Sequence, residues 1–228
     1  MPTLLSIQVG QPQDYIMSDG EVWRTSIFKT PIAGPVKLNS TNLVGDAQAD
    51  LKHHGGVDKA ANVFPSEHYP YWREKLGLPE MPYGGFGENL TIAGLLEGEV
   101  AIGDTFRIGT ATVQVSQPRQ PCWKLARRWG VKDLAVQVQN VGSTGWYFRV
   151  LEEGIVDVAQ DLELLDHPYP QWTIAEANRL MHHDKNDWET LAGLMGCPAL
   201  GVSWKKPFQE RLDKREAVVD SGARLFGE

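Results

Sequence analysis

Cysteine is scarce in this chain, and long hydrophobic runs are absent. It holds two cysteines, Cys122 and Cys197, in 228 residues. Two thiolates are too few for a four-thiolate zinc site or an iron–sulfur cluster within one chain. The longest apolar runs are a few residues, against the ~20 that a transmembrane helix needs. Residues 1–10 show no basic stretch before an apolar core, so we expect no signal peptide, reduced thiols and a cytoplasmic location.

A surplus of positive charge is also missing. The chain has 22 Lys and Arg against 29 Asp and Glu, which gives a formal net charge of −7. Because nucleic-acid affinity comes from neutralising phosphates, this balance disfavours nucleic acid as a partner. Hydrophobic residues make up 42% and charged residues 22%, as in ordinary globular proteins. The length fits one large domain with a small appendage.

The first two thirds of the sequence predict a mainly β fold. Short strand-like runs are separated by glycine and proline. They are Thr3–Val9, predicted as an edge strand, then Thr25–Ile32, Val36–Leu43, Thr105–Ile108, Ala111–Gln117, Gly145–Leu151 and Asp161–Leu165. The clearest hairpin joins the fourth and fifth runs, since Phe106, Ile108, Val113 and Val115 recur at period two. Many short strands of this kind indicate a β-barrel or sandwich.

Helical patterns interrupt the strands and then dominate the end of the chain. Ser66–Leu76 and Trp123–Val138, the latter with a break at Gly130, place apolar residues at helical spacing. After a proline-containing linker at 167–170, Thr173 and Glu176 form a capping-box signature. Two further helices are predicted at 186–195 and 203–214.

These patterns predict two domains, 1–166 and 167–228. The second, a three-helix domain of about 60 residues, is of marginal size for a core of its own. We therefore expect it to dock on the β domain.

The first polar cluster is residues 45–60, which contain His53, His54, paired glycines and Lys59. One interpretation is a long solvated loop. The other is a binding segment, because paired glycines allow close approach of the backbone to a ligand, and Lys and His can meet an anion. A zinc site formed by the two histidines is disfavoured, since adjacent side chains point apart on an extended chain.

The second polar cluster, residues 83–91, has three glycines in Gly84-Gly85-Phe86-Gly87. It matches neither the dinucleotide fingerprint nor the Walker pattern. Its backbone N–H groups can cradle an anion, or the run is a tight turn before a strand that starts near Asn89.

The third polar cluster, residues 116–124, carries Cys122 between a strand and a helix. Pro118 and Pro121 stiffen the turn, and Arg119 and Lys124 are close in sequence. Cations and a helix N-terminus lower the pKa of a thiol, which favours a functional cysteine. The alternative is a small buried hydrophobe, and that interpretation is favoured for Cys197.

Together these clusters resemble the MOSC family, named for the C-terminal domain of molybdenum cofactor sulfurase. The matching elements are residues 45–60 with His54-Gly55-Gly56 and Asp58-Lys59-Ala60, then Phe86–Leu90, Ile102-Gly103-Asp104, Gln114–Arg119 with Cys122, and Gly145-Trp146. Their order and spacing match over about residues 25–166. The helical tail is similar to the three-helix extension of the bacterial YiiM-type branch.

The resemblance implies a barrel like that of pyruvate kinase, and it equates Cys122 with the family's cysteine. That cysteine is proposed either to ligate molybdenum of the pterin cofactor or to carry sulfur as a persulfide. Members similar to the amidoxime-reducing enzymes reduce N-hydroxylated compounds, including hydroxylamino bases. Pyridoxal phosphate, associated with fused sulfurase domains, is not expected here. The chain departs from the family pattern at Ala159-Gln160-Asp161, where a glycine often precedes the acid.

We therefore expect a molybdenum-cofactor oxidoreductase with Cys122 as catalytic residue and metal ligand. His54, Lys59 and Arg119 are the candidates for the cofactor's phosphate, and Asn89 and Ser116 for hydrogen bonds to it. Because the chain has no ferredoxin or flavin module, electrons must come from a separate flavin- or ferredoxin-type protein to a small-molecule substrate. The alternatives are a sulfur carrier with a persulfide on Cys122 and a small-molecule binder in which Cys122 is inert.

Overall fold

The computed structural model describes residues 1–16, 20–216 and 222–227. Their strands are β1 (Thr3–Val9), β2 (Gln13–Ile16), β3 (Val22–Thr25), β4 (Thr30–Pro31), β5 (Val36–Leu38), β6 (Ala61–Pro65), β7 (Leu90–Ala93), β8 (Thr105–Ile108), β9 (Ala111–Pro118), β10 (Trp146–Glu152), β11 (Gly154–Val156) and β12 (Leu162–Asp166). The α-helices are α1 (Leu51–His54), α2 (His68–Leu76), α3 (Lys124–Trp129), α4 (Leu134–Val141), α5 (Ile174–Asn178), α6 (Trp188–Met195), α7 (Val202–Lys214) and α8 (Gly222–Phe226). A 3₁₀ turn covers Val57–Lys59, and a π-helical turn covers Arg179–His183.

Eight strands form one curled sheet in the order β12-β8-β9-β10-β6-β7-β1-β4. Neighbours are antiparallel except for β6 and β7, which are parallel. The curl brings the start of β1 to the start of β12. There the N–H of Leu4 donates to the carbonyl of Gln160 and the N–H of Ala159 to the carbonyl of Leu4, both at 2.8 Å. The predicted mainly β, barrel-like fold is thereby confirmed.

The predicted hairpin is β8 and β9, joined at Gly109-Thr110. Phe106 pairs with Val113 and Ile108 with Ala111, and all four side chains are buried. Gly109 has a φ of 58°, and a Cβ there would lie 2.2 Å from the carbonyl oxygen of Ile155. Only glycine fits this turn, because no side chain can be accommodated against that oxygen.

The edge position predicted for β1 is wrong. This strand pairs with β7 on one side and with the two-residue β4 on the other, so β4 is the edge. Both Leu4 and Ile7 are fully buried. The alternation of β1 looked weak in the sequence because the strand is covered on both faces along part of its length.

Two predicted strands are shorter in the structure. The run predicted at 25–32 contains the end of β3 and all of β4, separated by a turn in which the N–H of Lys29 donates to the carbonyl of Ile27. The run predicted at 36–43 contains β5, after which Leu43 returns to pair with Leu38. In both places a local hydrogen-bonded turn replaces continued strand pairing.

The helix prediction is correct for α2, and for α3 and α4 with their break at Gly130, whose φ is 68°. Residues 45–60 differ from the extended chain or loop expected from their composition. They contain α1 and the 3₁₀ turn, so His53 and His54 lie on a helical turn.

The three predicted C-terminal helices are confirmed as α5, α6 and α7. The Oγ1 of Thr173 accepts a hydrogen bond from the N–H of Glu176 at 3.1 Å, as its capping signature predicts. Ile174, Trp204 and Phe208 are buried in the same apolar cluster as the inner face of the sheet, so the helices dock on the β domain as expected. The short α8 was not predicted.

The boundary between residues 166 and 167 stays a prediction. Residues 217–221 and 228 of the predicted second domain lie outside the described residues. No helix within the described ranges is both long and apolar enough to cross a bilayer.

Candidate functional site

Two adjoining pockets meet at Cys122, and we call them together the Cys122 cleft. The residues common to both are His54, Lys59, Cys122, Lys124 and Tyr147. One pocket extends toward β3, β6 and Phe86, and the other, of about 430 Å³, extends toward α7 and α8. Such a concave site with convergent polar groups is the usual form of a ligand-binding site.

Cys122 lies in the turn that joins β9 to α3 and is 8% exposed. Its Sγ is 4.0 Å from Nε2 of His54. The carbonyl of Cys122 accepts from the N–H of Leu125, which starts the six-residue α3. The N–H of Trp123 donates to the carbonyl of Arg224 and is therefore already engaged.

His54 faces the thiol from the end of α1. Burial, together with charge repulsion from Lys124, Arg119 and Lys59, lowers the pKa of His54 from 6.5 to about 3. His54 is therefore neutral near pH 7. Its neighbour His53 is largely exposed and bonds through Nδ1 to Asp50 at 2.8 Å.

The lysine and arginine side chains that line the cleft among the described residues are Lys29, Lys59, Arg119, Lys124 and Arg224. Lys29 pairs with the buried carboxylate of Asp46. Lys59 donates from Nζ to the carbonyl of His53 at 2.7 Å, and burial lowers its pKa. Within the part of the chain that the structure describes, Lys124 has neither an ion pair nor a side-chain hydrogen bond.

Arg119 is 6% exposed and donates from Nη2 to the carbonyl of Phe86 at 2.8 Å. Its Nη1 is buried with no hydrogen-bond partner among the described residues. A buried charged donor without a partner costs free energy, so it marks a place where a ligand acceptor would be stabilising.

Of the six predicted site residues, the structure brings five to the cleft, namely Cys122, His54, Lys59, Asn89 and Arg119. The amide of Asn89 is engaged within the protein. Its Nδ2 donates to the carbonyl of Gln8 and to Asp46, and its Oδ1 accepts from the N–H of Asn62. Asn89 therefore holds three strands together, and both of its donor hydrogens are used.

Ser116, the sixth, is fully buried and is not among the residues that line the cleft. Its Oγ lies 2.5 Å from the carbonyl oxygen of Asp58 and 3.1 Å from that of Tyr147. The hydroxyl of Ser116 thus links the 3₁₀ turn at Val57–Lys59 to the sheet. This link helps to position Lys59.

The glycine-rich run 84–87 is a closed turn. The carboxylate of the fully buried Glu88 accepts from the N–H of Gly84 at 2.7 Å and of Phe86 at 3.1 Å, and the N–H of Gly85 donates to the hydroxyl of Tyr69 at 3.0 Å. Of the two interpretations of residues 83–91 drawn from the sequence, the structure agrees with the tight turn. Its anion-cradling geometry is occupied by the chain's own carboxylate.

Tyr147 and Lys29 are cleft residues that the sequence did not single out. Tyr147 follows Trp146 on β10 and points to the opposite face, so it reaches the cleft while Trp146 is in the core. Burial raises the pKa of Tyr147, while the nearby Arg119 lowers it and Cys122 raises it. The alternation of side chains along the strand that begins beside Gly145 is the sequence signal that could have identified Tyr147. No sequence signal pointed to Lys29.

The donor set of the cleft is that of an anion site with a single thiol. No group of three or more His, Cys, Asp or Glu side chains suited to hold a metal occurs within residues 1–16, 20–216 and 222–227. A metal at Cys122 would therefore need its other ligands from a bound cofactor.

Comparison with known proteins agrees with the fold. Residues 50–163 match the model of the MOSC domain, and residues 172–215 match that of the YiiM-like, 3-alpha helix domain. The chain belongs to the MOSC domain family.

Its relatives make the assignment more specific. The uncharacterized protein YflK of Bacillus subtilis is 46% identical over 93% of this chain and 95% of its own. The crystal structure of YiiM from Geobacillus stearothermophilus has a TM-score of 0.79 at 37% identity, covering 93% of this chain and 100% of that one. A protein of Gibberella moniliformis named reductase is 32% identical over 78% of this chain but only 32% of its own length. The chain is thus similar to YiiM and YflK proteins and carries their type of helical domain.

Proposed function

We propose that this protein is a molybdenum-cofactor oxidoreductase that reduces N-hydroxylated small molecules, such as hydroxylamino bases, with Cys122 as the one protein ligand of the metal. The observation that carries this proposal is the combination of one thiol with a cationic cleft in which Nη1 of Arg119 lacks a partner. Membership of the MOSC family and the relative named reductase support it.

The residues of the cleft fit such a cofactor. A thiolate is a soft ligand and suits a sulfur-rich molybdenum centre. The pterin's phosphate needs charge-assisted donors, and Arg119, Lys59 and Lys124 supply them. When bound, the cofactor would supply two-electron chemistry at the metal, and the protein would bind, orient and tune it.

The chain's own residues then have distinct roles. Reduction of an N–OH group takes two electrons and two protons and releases the amine and water. His54 is neutral near pH 7, so it contributes a hydrogen bond beside Sγ without repelling the neighbouring cations. Burial lowers the pKa of Lys59, which favours release of a proton from its Nζ to a substrate in the cleft. Electrons come from a separate flavin- or ferredoxin-type donor protein.

The test is an activity measurement on protein with determined molybdenum content. With a chemically reduced viologen as donor and a hydroxylaminopurine as substrate, we expect the aminopurine as product. Cys122→Ala is the matched variant and should form no product above background. Fully loaded wild-type protein that reduces no N-hydroxylated compound would contradict the proposal.

A second candidate function, a sulfur carrier, is favoured by one observation. Sγ of Cys122 borders a cleft of about 430 Å³ that is open to a partner, and carrying a persulfide requires no bound cofactor. Mass spectrometry of protein isolated without reductant would show one added sulfur atom on the peptide containing Cys122. A persulfide in molybdenum-free preparations would favour the carrier over the reductase.

A further inference from the structure

The residues on either side of Cys122 are both bonded to the same residue at the other end of the chain. Nη1 of Arg224 donates to the carbonyl of Pro121 at 2.6 Å. The N–H of Trp123 donates to the carbonyl of Arg224 at 2.8 Å. Arg224 therefore bonds to both neighbours of Cys122, through its side chain to Pro121 and through its backbone carbonyl to Trp123.

Further contacts hold Arg224 and its helix in this position. Nη2 of Arg224 donates to Oε1 of Gln139 at 2.7 Å, and Gln139 is buried on α4. Just after α8, a Cβ added at Gly227 would lie 3.1 Å from the ring of Trp123, which shows how closely the backbone approaches that ring. Leu225 is also buried. The helix is thus fixed to both α4 and the cysteine turn.

The same helix forms one wall of the Cys122 cleft. Ala223 and Arg224 line its larger pocket together with Ser203 of α7, and Asp50, just before α1, and His53 of α1 line it from another side. The family model of the three-helix domain ends at residue 215, so α8 lies beyond the matched module. The wall is a feature of this chain's C-terminal segment that the family match does not cover.

We propose that α8 is part of the active site, with Arg224 a positioning residue that fixes the Pro121-Cys122-Trp123 turn and with the helix limiting the size of molecule that reaches Sγ. In the proposed reductase it would exclude substrates bulkier than a single hydroxylamino base. This substrate consequence rests on the proposed function. The positioning of Cys122 does not, because Arg224 makes its contacts with Pro121 and Trp123 within the chain itself.

The test measures alkylation rates of Cys122 in cofactor-free protein by peptide mass spectrometry, with iodoacetamide as the small reagent and a biotin-linked maleimide as the bulky one. Wild type is compared with a chain ending after residue 221, with Arg224→Ala and with the conservative Arg224→Lys. Arg107→Ala, an exposed arginine on β8, is the control of the same residue type. Cys197 reports global loosening in the same molecule, because it is 2% exposed and burial raises its pKa.

Removal of α8 should increase the rate of the bulky reagent at Cys122 at least ~10-fold more than that of the small one, since access governs thiol reactivity. Arg224→Ala should show a smaller change in the same direction, and Arg224→Lys should restore part of the wild-type ratio. Cys197 and Arg107→Ala should match wild type. An unchanged ratio in the truncated chain, or Cys197 reacting in parallel with Cys122, would overturn the proposal. If the truncated chain fails to fold, Gln139→Leu, which removes one acceptor of Arg224, should shift the ratio in the same direction as Arg224→Ala, and an unchanged ratio in both variants would overturn the positioning role.

Discussion

Two polar regions, the Glu88 turn at residues 84–90 and the cysteine turn at residues 119–124, each involve one arginine, and the two arginines differ in how far their donors are satisfied. Arg128 donates to the carbonyls of Ile27 and Gly84 beside the carboxylate of Glu88. Burial lowers the pKa of Arg128, and the charge of Glu88 raises it. Arg119 donates to the carbonyl of Phe86 and lies beside Tyr147, and its Nη1 has no partner among the described residues. The first region is complete without a ligand, and the second is not.

This difference separates stability from function within one cleft. A satisfied buried network stabilises the fold and presents little to a ligand. An unsatisfied one costs stability and is retained where a ligand supplies the missing partner. We therefore expect variants of the Glu88 turn to change the free energy of unfolding, and variants of the cysteine turn to change ligand binding.

The largest effect is expected from Glu88→Ala. The change leaves the N–H groups of Gly84 and Phe86 and the hydroxyls of Tyr69 and Thr91 without their acceptor. Breaking a buried charged network by removing one partner costs about 3–5 kcal/mol. Urea denaturation measures the loss, and Glu88→Gln, which keeps an accepting oxygen, should lose less. A cost below about 1 kcal/mol would show that the turn does not depend on its carboxylate.

The second prediction compares the two arginines directly. Arg119→Met removes the unpartnered donor, so we expect the binding of a pterin monophosphate to weaken about 10- to 100-fold, the value of one or two charge-assisted hydrogen bonds. The free energy of unfolding should change little. Arg128→Met should do the reverse and lower stability by about 2 kcal/mol with unchanged binding.

Calorimetric titration and urea denaturation of the two arginine variants distinguish these outcomes. Equal loss of binding in both variants would mean that the two regions act as one network. That result would contradict the assignment of stability to one region and ligand binding to the other.

The third prediction concerns the stability of cofactor-free protein between about pH 7 and about pH 5, a range over which the effect is smaller than that of Glu88→Ala. Because the pKa of His54 is about 3 in the folded chain and ordinarily 6.5, the unfolded chain binds more protons between these values. The free energy of unfolding is therefore highest above pH 6.5 and falls as the pH drops toward 3, by at most about 1.4 kcal/mol per unit from this group.

Replacement of the histidine isolates its contribution. His54→Gln should show a shallower decline in urea denaturation between about pH 7 and about pH 5. His53→Gln is the control, since His53 is largely exposed. Parallel curves for wild type and His54→Gln would contradict the burial of a neutral imidazole beside Cys122.

The sequence predicted which residues line the cleft better than it predicted what each of them does there. Cys122, His54, Lys59 and Arg119 meet as expected, because the segments that carry them were recognised as polar and unsuited to a core. The local sequence did not show that the turn at residues 84–87 is closed by the carboxylate of Glu88. A turn left open to a ligand would have looked the same in the sequence. That distinction depends on hydrogen bonds to Glu88 from the backbone of the run, from Thr91 and from Tyr69, the last of which is 19 positions away.

The same limit applies to the elements that were missed. Five residues give α8 too short a pattern to identify, and its position depends on Arg224 reaching Pro121, 103 positions away. Lys29 lies in a turn that was predicted as strand, and its pairing with Asp46 is a tertiary contact. Periodicity reports the face that a residue occupies, and it does not report which distant group meets it.

The most direct test of the account is the molybdenum content of wild type and Cys122→Ala, purified from cells that make the pterin cofactor and measured by elemental analysis. We predict close to one metal per chain in wild type and a loss of at least ~10-fold in the variant, with the same thermal unfolding for the two proteins in cofactor-free form, because a lost ligand weakens the site without opening the core. Equal molybdenum in both proteins would remove Cys122 as the ligand, and its absence from both would contradict the molybdenum enzyme altogether.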